Sequence, residues 1–235
     1  MKNRFNWLGL LAGALLAAGL VRRARRGSPL PTSAWLPVLI QQHGEDEGRA
    51  LLARAEARYH HLVGAHGVRP LPRSPALRRH LRQSILPGLA IYQAQLEFHH
   101  GGRQAALDEI NALFYAWTKH LYRPTMRMLG RFPRPFGVFR LGLALRMSEF
   151  PLEGWQTTWR ENSPQRVAFD MHTCFYLRTL TTYGAPELTP SFCQIDDWMG
   201  AMLPASITFH RTQTLGRGGE RCDFCYASTG AKYDK

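Results

Sequence analysis

The spacing of apolar positions changes near the middle of the chain and divides it into a helical half and a mixed half. Between Glu45 and Leu62, the residues Leu51, Leu52, Ala55, Tyr59 and Leu62 recur at the interval of one helix face. Ser74-Pro75 reads as an N-cap followed by proline at the first helical position. The helix it opens reaches Pro87, kinks or stops there, and resumes through Leu96. Gln104 to Arg123 is the longest such stretch, with Leu107, Ile110, Leu113, Phe114, Trp117 and Leu121 on one face. Pro124 lacks an N–H and crowds the preceding turn, so it should end or kink that helix. Beyond Pro135 the character changes. Residues 154–161 and 166–172 are short, aromatic and β-branched, and bounded by turn formers, as strands are. Residues 174–183 read as a helix followed by Gly184, and residues 189–202 as another ended by Pro204. A strand over 207–214 then enters a turn at Gly216, Gly218 and Gly219, and a second short run leaves it carrying Cys222-Asp223-Phe224-Cys225. Helices first and strands later predict an α+β fold, with a helical N-terminal half packed on a small antiparallel sheet that ends in a C-terminal β-hairpin.

One segment stands apart. Trp7 to Val21 is apolar without interruption, with Lys2 and Arg4 before it and Arg22, Arg23, Arg25 and Arg26 after it. As a helix it rises about 22 Å, short of the roughly 30 Å hydrocarbon core. Arginines stand where a cleavage site would need small residues, so the segment reads as an uncleaved membrane-anchor helix. The arginine excess after the span favours a cytoplasmic body at the inner membrane, with a periplasmic body as the alternative. Residues 1–26 are then the anchor, 27–44 a linker opened by a Pro-, Ser- and Gly-rich run, and 45–230 a single domain.

Composition narrows the function classes. The chain has 235 residues, 45% of them hydrophobic and 20% charged, as globular domains do. Formal net charge is +13, but six of those charges flank the apolar segment and the rest of the chain carries about +7. With no aromatic-and-basic RNA motif and no recognition-helix pattern, nucleic acid is not an expected partner. The four cysteines, Cys174, Cys193, Cys222 and Cys225, all lie in the last 62 residues. That is too sparse for a disulfide-stapled secreted domain and points to a site, or to small buried hydrophobes.

Several constellations could carry chemistry. Asp170, His172 and Cys174 share one face if residues 169–174 are extended, and supply the groups of an activated nucleophile. Alternatively the strand ends near Thr173, Cys174 caps a helix and His172 is exposed. Cys222 and Cys225 could form half a zinc site or a redox pair, yet an extended backbone puts them on opposite faces. Arg211 continues the face of Ile207 and Phe209. It can hold a substrate carboxylate through two parallel hydrogen bonds, or form a structural ion pair with Asp196, Asp197 or Asp223. The glycines read most simply as turn residues, with a phosphate-cradling loop the weaker alternative.

The ordered pattern Cys174-x-Tyr176, Gly184-x-Pro186-Glu187-Leu188, Phe192-Cys193-x-x-Asp196 and Arg211-Thr212-x-Thr214-Leu215-x-x-Gly218-Gly219-x-x-Cys222-Asp223-Phe224 resembles the L-2-amino-thiazoline-4-carboxylic acid hydrolase family. It covers about residues 165–226; the helical half is similar only in general character. Cys225 departs from the polar or basic residue relatives tend to carry there, and the anchor is not a general family feature. The resemblance implies a hydrolase-like domain over 45–230 that opens a cyclic isothiourea-type ring to an N-carbamoyl-cysteine. It implies Cys174 or Cys193 as nucleophile, Asp196 as base or orienting group, and Cys222 and Asp223 as further members of the catalytic pocket. Arg211 would clamp the substrate carboxylate, with Thr214 and His172 beside it. A small carboxylate is the expected partner and no cofactor is implied, although Cys, His and Asp can also ligate zinc. Two other classes fit the same residues: a membrane-tethered binding or sensory domain without turnover, and a zinc-stabilised interaction module.

Overall fold

A computed structural model of the chain describes residues 28–65, 71–100 and 102–229. The expected anchor at 7–21 lies outside the described residues. Among those described, no helix is long and apolar enough to cross a membrane.

The expected linker is folded. Thr32–His43 forms helix α1, which buries Trp35 and Leu39 against α2 (Glu45–Gly64). Two prolines make α1 look like a linker in the sequence. Pro31 immediately precedes it, and Pro37 falls on its exposed side, where the carbonyl it leaves unpaired can be hydrated. Short helix α3 (Pro75–His80) has Ser74 as N-cap, its hydroxyl accepting from the Leu77 N–H. It runs through a π turn at Leu81–Ile85 into α4 (Leu86–Phe98). Pro87 therefore does not stop the chain: the π turn ahead of it absorbs the missing donor. Helix α4 is apolar nearly all round, from Leu86 to Ala94, and forms the centre of the helical layer. Helix α5 (Arg103–Leu129) continues past Pro124, which is exposed, as is the His120 carbonyl's residue one turn before it. Helix α6 (Pro135–Met147), not foreseen in the sequence, leads to the sheet.

Strands β1 (Thr157–Asn162), β2 (Arg166–Met171), β3 (Ile207–His210) and β4 (Cys222–Ser228) form one antiparallel sheet in the order β1-β2-β4-β3. Helices α7 (Phe175–Thr182) and α8 (Thr189–Ala201) connect β2 to β3. The architecture is the α+β arrangement expected, including the terminal β3–β4 hairpin. Alternation on the strands decides what faces the helices. Phe169 lies opposite Phe224 and Phe209 opposite Tyr226, with ring centroids 4.9 Å apart in both pairs. Each such aromatic pair adds about 0.5–1.5 kcal/mol beyond area burial. Cys222 lies on this inner face beside Met171, while Asp170, Asp223 and Cys225 occupy the other face.

Candidate functional site

The site forms where α8 meets the end of β3. Along α8, Cys193, Asp196 and Asp197 follow at intervals of three and four, so they share one side of the helix. Arg211 follows the last residue of β3 and continues its inward face. Its guanidinium lies 5.8 Å from the Phe209 ring and 5.3 Å from the Phe224 ring. It donates to Asp196 Oδ2 at 3.0 Å, Asp197 Oδ1 at 2.6 Å and the Cys193 carbonyl at 2.9 Å. Only 3% of this side chain is exposed. Of the two readings of Arg211, the structure shows the ion pair: its guanidinium is engaged by two carboxylates of the protein, Asp196 and Asp197.

Asp196 is different. Its carboxyl is crowded enough that burial pushes its pKa up to about 6, against the opposing pull of Arg211. Yet 38% of its side chain is accessible. Its neighbours therefore desolvate the carboxyl while one edge of the side chain stays accessible. Around it lie Tyr122 from α5, Tyr226 from β4 and Arg146 from α6, each within electrostatic reach.

Three thiols lie within electrostatic reach of one another. Cys174, Cys193 and Cys222 sense one another, and Cys174 and Cys193 sense Asp196. Burial pushes the Cys174 thiol up to about 11 and Cys222 to about 12, and raises Cys193. Cys174 caps α7, its Sγ accepting from the Leu177 N–H at 3.4 Å. Cys222 Sγ accepts from the Leu215 N–H at 3.3 Å and so fastens the turn between β3 and β4. Cys193 sits against the Thr214 hydroxyl, which favours its thiolate, although that hydroxyl closes no hydrogen bond. The turn approaches α8 so closely that a Cβ on Gly216 would lie 2.7 Å from Cys193 Sγ. Gly218 ends the turn at φ +84°, in the left-handed region.

Other expectations are corrected. Asp223 points away from the thiols. It accepts from the Thr212 and Gln213 N–H groups and the Thr212 hydroxyl, bracing the backbone just after Arg211. Burial disfavours its charge, but these bonds outweigh that and lower its pKa. Strand β2 ends at Met171, so Asp170, His172 and Cys174 do not assemble as a triad. His172 is exposed, with Nε2 3.2 Å from Thr158 Oγ1, and is no part of the site. Asp170 is ion-paired to Arg160 and Arg221 on the outer face. Cys225 lies there too, receiving Arg166 Nε at 3.3 Å, so it does not join Cys222. Among the described residues, no group of three or more His, Cys, Asp or Glu is arranged to hold a metal ion.

The turn borders a half-open depression of about 320 Å³ lined by Asp197, Arg211, Gln213, Thr214, Arg217 and Gly218; Asp196 and the thiols are not among its lining residues. Of the expected site residues, Cys174, Cys193, Asp196, Arg211, Thr214 and Cys222 come together; Asp223 and His172 do not. Sequence reasoning missed Tyr122, Arg146 and Tyr226, and gave Tyr176 no role. Only Tyr176 carried a signal, through the Cys174-x-Tyr176 pattern; the others reach the site by helix and sheet packing alone.

Residues 82–226 match the family model described as L-2-amino-thiazoline-4-carboxylic acid hydrolase. No curated protein and no solved structure matches the chain. The matched region extends the resemblance from the sheet back into the helical half, and takes in the helices that bring Tyr122 and Arg146 to Asp196. On that match the chain belongs to the L-2-amino-thiazoline-4-carboxylic acid hydrolase family.

Proposed function

We propose that the protein is a hydrolase that opens a small cyclic amidine or isothiourea carboxylate, such as a 2-amino-thiazoline-4-carboxylate, with Asp196 as general base toward water. The observation that carries this reading is the family match over residues 82–226, and within it Asp196 is a carboxylate held by Arg211 at 3.0 Å with 38% of its side chain accessible, its pKa pushed up by burial to about 6. At neutral pH it is mostly ionised, yet basic enough to take a proton from an attacking water. The thiols are less suited to that step. Forming a thiolate from a group of pKa about 11 at pH 7 costs about 5 kcal/mol. Water therefore adds to the carbon between nitrogen and sulfur while Asp196 accepts its proton. The displaced C=N electron pair moves to the ring nitrogen, to which Asp196 passes the proton it took from water. As the tetrahedral carbon collapses, Asp196 takes the proton of its hydroxyl while the carbonyl forms and the C–S bond breaks, and delivers that proton to the departing sulfur. One ring and one water yield one N-carbamoyl thiol.

In this scheme Arg211 holds Asp196 in place, and the thiols near it stay neutral. The positive field for the substrate carboxylate comes from Arg146, which also influences Tyr122 and Tyr176. A tether through residues 7–21 would place the reaction at the cytoplasmic side of the inner membrane, which fractionation of tagged full-length protein tests. For the activity, the purified protein is incubated with 2-amino-thiazoline-4-carboxylate while free thiol and N-carbamoyl product are followed. Stoichiometric retention of unchanged ligand would instead identify a binding domain. Zinc in molar proportion, with unfolding on chelation, would identify an interaction module.

A further inference from the structure

Helix α6 is apolar nearly all round, with Arg140 and Arg146 as the only polar side chains among its 13 residues. Such a helix is normally enclosed, yet α6 is covered on one side only. Phe136 is buried there, and the Phe139 ring packs on Tyr226 of β4 with centroids 4.9 Å apart. On the other side Leu141 and Leu145 are 39% and 48% exposed, and Ala144 beside them is exposed too. At about 100° per residue, Arg140 and Arg146 fall at the two edges of this apolar strip. The charge around the strip is of one sign. Between Glu109 and Glu149 the chain carries seven lysines and arginines and no acid. Lys119, Arg123 and Arg127 recur every four residues along α5, and Arg131 and Arg134 occupy the connection to α6. These five and Arg146 are exposed, while Arg140 reaches Asn162 at 3.4 Å. Elsewhere arginines meet acids: Arg49 pairs with Glu45, Arg79 with Glu149, Arg221 with Asp170 and Arg217 with Asp197. Among the described residues none of the seven is in an ion pair.

We propose that the outer side of α6, with the basic second half of α5, seats the folded body on an anionic lipid surface. Leu141 and Leu145 enter the bilayer interface, and the unmatched lysine and arginines meet headgroup phosphates. An interface of that kind offers acyl chain and negative charge together, which is what exposed leucines edged by arginines require. A nucleic acid would match the charge and leave the leucines in water. A second copy, applied through the same face, would bring like charges together. The direction of α1 agrees. Trp35 stacks on Phe114 at 6.2 Å and His43 meets Glu109 at 3.0 Å, so the start of α1 points toward the Lys119 half of α5. In sequence that start follows Arg22, Arg23, Arg25 and Arg26. The surface is separate from residues 7–21, and the proposal rests neither on their inserting nor on the hydrolase reading.

The test follows hydrogen exchange of the full chain on two kinds of vesicle, phosphatidylcholine alone and phosphatidylcholine mixed with phosphatidylserine. Any tethering through residues 7–21 is common to both, so the comparison isolates headgroup charge. Amides of residues 135–147 should exchange about tenfold or more slowly on the anionic vesicles. Added salt should remove the slowing, because the headgroup attraction is screened. Arg127→Gln, Arg131→Gln and Arg134→Gln together should abolish most of it, at about fivefold for each charge near the surface. Leu141→Ser with Leu145→Ser should make exchange equal on the two lipids without changing the charge. Thermal unfolding checks that each variant is folded, and the glutamine set decides the matter if the serine pair is not. Equal exchange of 135–147 on both vesicles in wild type overturns the proposal. So does a slowing that neither set of substitutions relieves, which places the contact elsewhere. Slowing on neutral vesicles that grows with protein concentration identifies a second copy, and equal slowing by duplex DNA that survives the serine pair identifies nucleic acid; either result overturns the lipid assignment.

Discussion

Replacing Arg211 by methionine removes the group on which the site's geometry depends. The guanidinium is 3% exposed and makes three hydrogen bonds, two of them to carboxylates. Breaking a fully buried pair costs about 3–5 kcal/mol because the remaining charge is left uncompensated. Here the carboxylates keep 38% and 37% of their side-chain surface accessible, so water can take over part of the lost interaction. The expected loss is therefore smaller, about 2 kcal/mol, with methionine keeping much of the packing. The effect on Asp196 is more specific. Burial raises its pKa and Arg211 is the main opposing influence, so without Arg211 the value rises above about 6. Since the base must be ionised, the acid limb of kcat/KM should move to higher pH. Denaturant unfolding gives the first quantity and a pH–rate profile the second. Adding Asp196→Asn should recover part of the stability, because one uncompensated charge is then gone. The reasoning is refuted if Arg211→Met unfolds like wild type and keeps the same acid limb.

Three further outcomes follow from the geometry. Cys174→Ser and Cys193→Ser should each keep the ring-opening rate within about threefold, since neither thiol is ionised near neutral pH; a hundredfold loss in either would make that sulfur the nucleophile. Gly216→Ala should cost about 1–3 kcal/mol, because its Cβ would lie 2.7 Å from Cys193 Sγ and 2.8 Å from Thr189 Cγ2. Adding Cys193→Ala should relieve part of that loss in thermal unfolding, and no relief would refute the close approach. His80 titrates at 6.5 in the unfolded chain and at about 4 in the fold, so the unfolded state binds more protons between these values and stability falls on acidification. The full span amounts to about 3 kcal/mol, partly offset by Asp196, whose raised pKa acts in the opposite sense between 3.8 and about 6. His80→Phe should flatten the descending part of the stability–pH curve, and an unchanged curve would contradict the assignment.

Where local periodicity and burial agree, the fold is legible in the sequence. The apolar face of α5 contains residues it buries, Ile110, Leu113 and Phe114, and the short runs read as strands at β2 and β4 are strands, buried along nearly their whole length. Proline misleads in α1 and α5 because Pro37 and Pro124 sit on exposed helix sides, where a stranded carbonyl can meet water. Strand alternation correctly turns Arg211 inward, and two of its three candidate partners, Asp196 and Asp197, are the ones it meets. Alternation also separates Cys222 from Asp223 and Cys225, although adjacency in sequence suggests a shared pocket. What no local pattern discloses is the character of Asp196. Its pKa is raised by burial, which tertiary packing and no local pattern sets, against the lowering influence of Arg211 and of Arg146 from α6, both remote along the chain. His172 shows the converse: a reactive residue type just beyond the end of β2, where alternation would give it the outer face of Asp170, away from Asp196.

Ring opening of 2-amino-thiazoline-4-carboxylate by wild type and by Asp196→Asn, followed from pH 5 to 9 with folding monitored alongside, bears on the base assignment more directly than any other measurement. Wild type should turn over with an acid limb near 6, and the folded asparagine variant should lose about a hundredfold or more in kcat together with that limb. An asparagine variant as fast as wild type would show that the accessible carboxylate beside Arg211 takes no part in the chemistry.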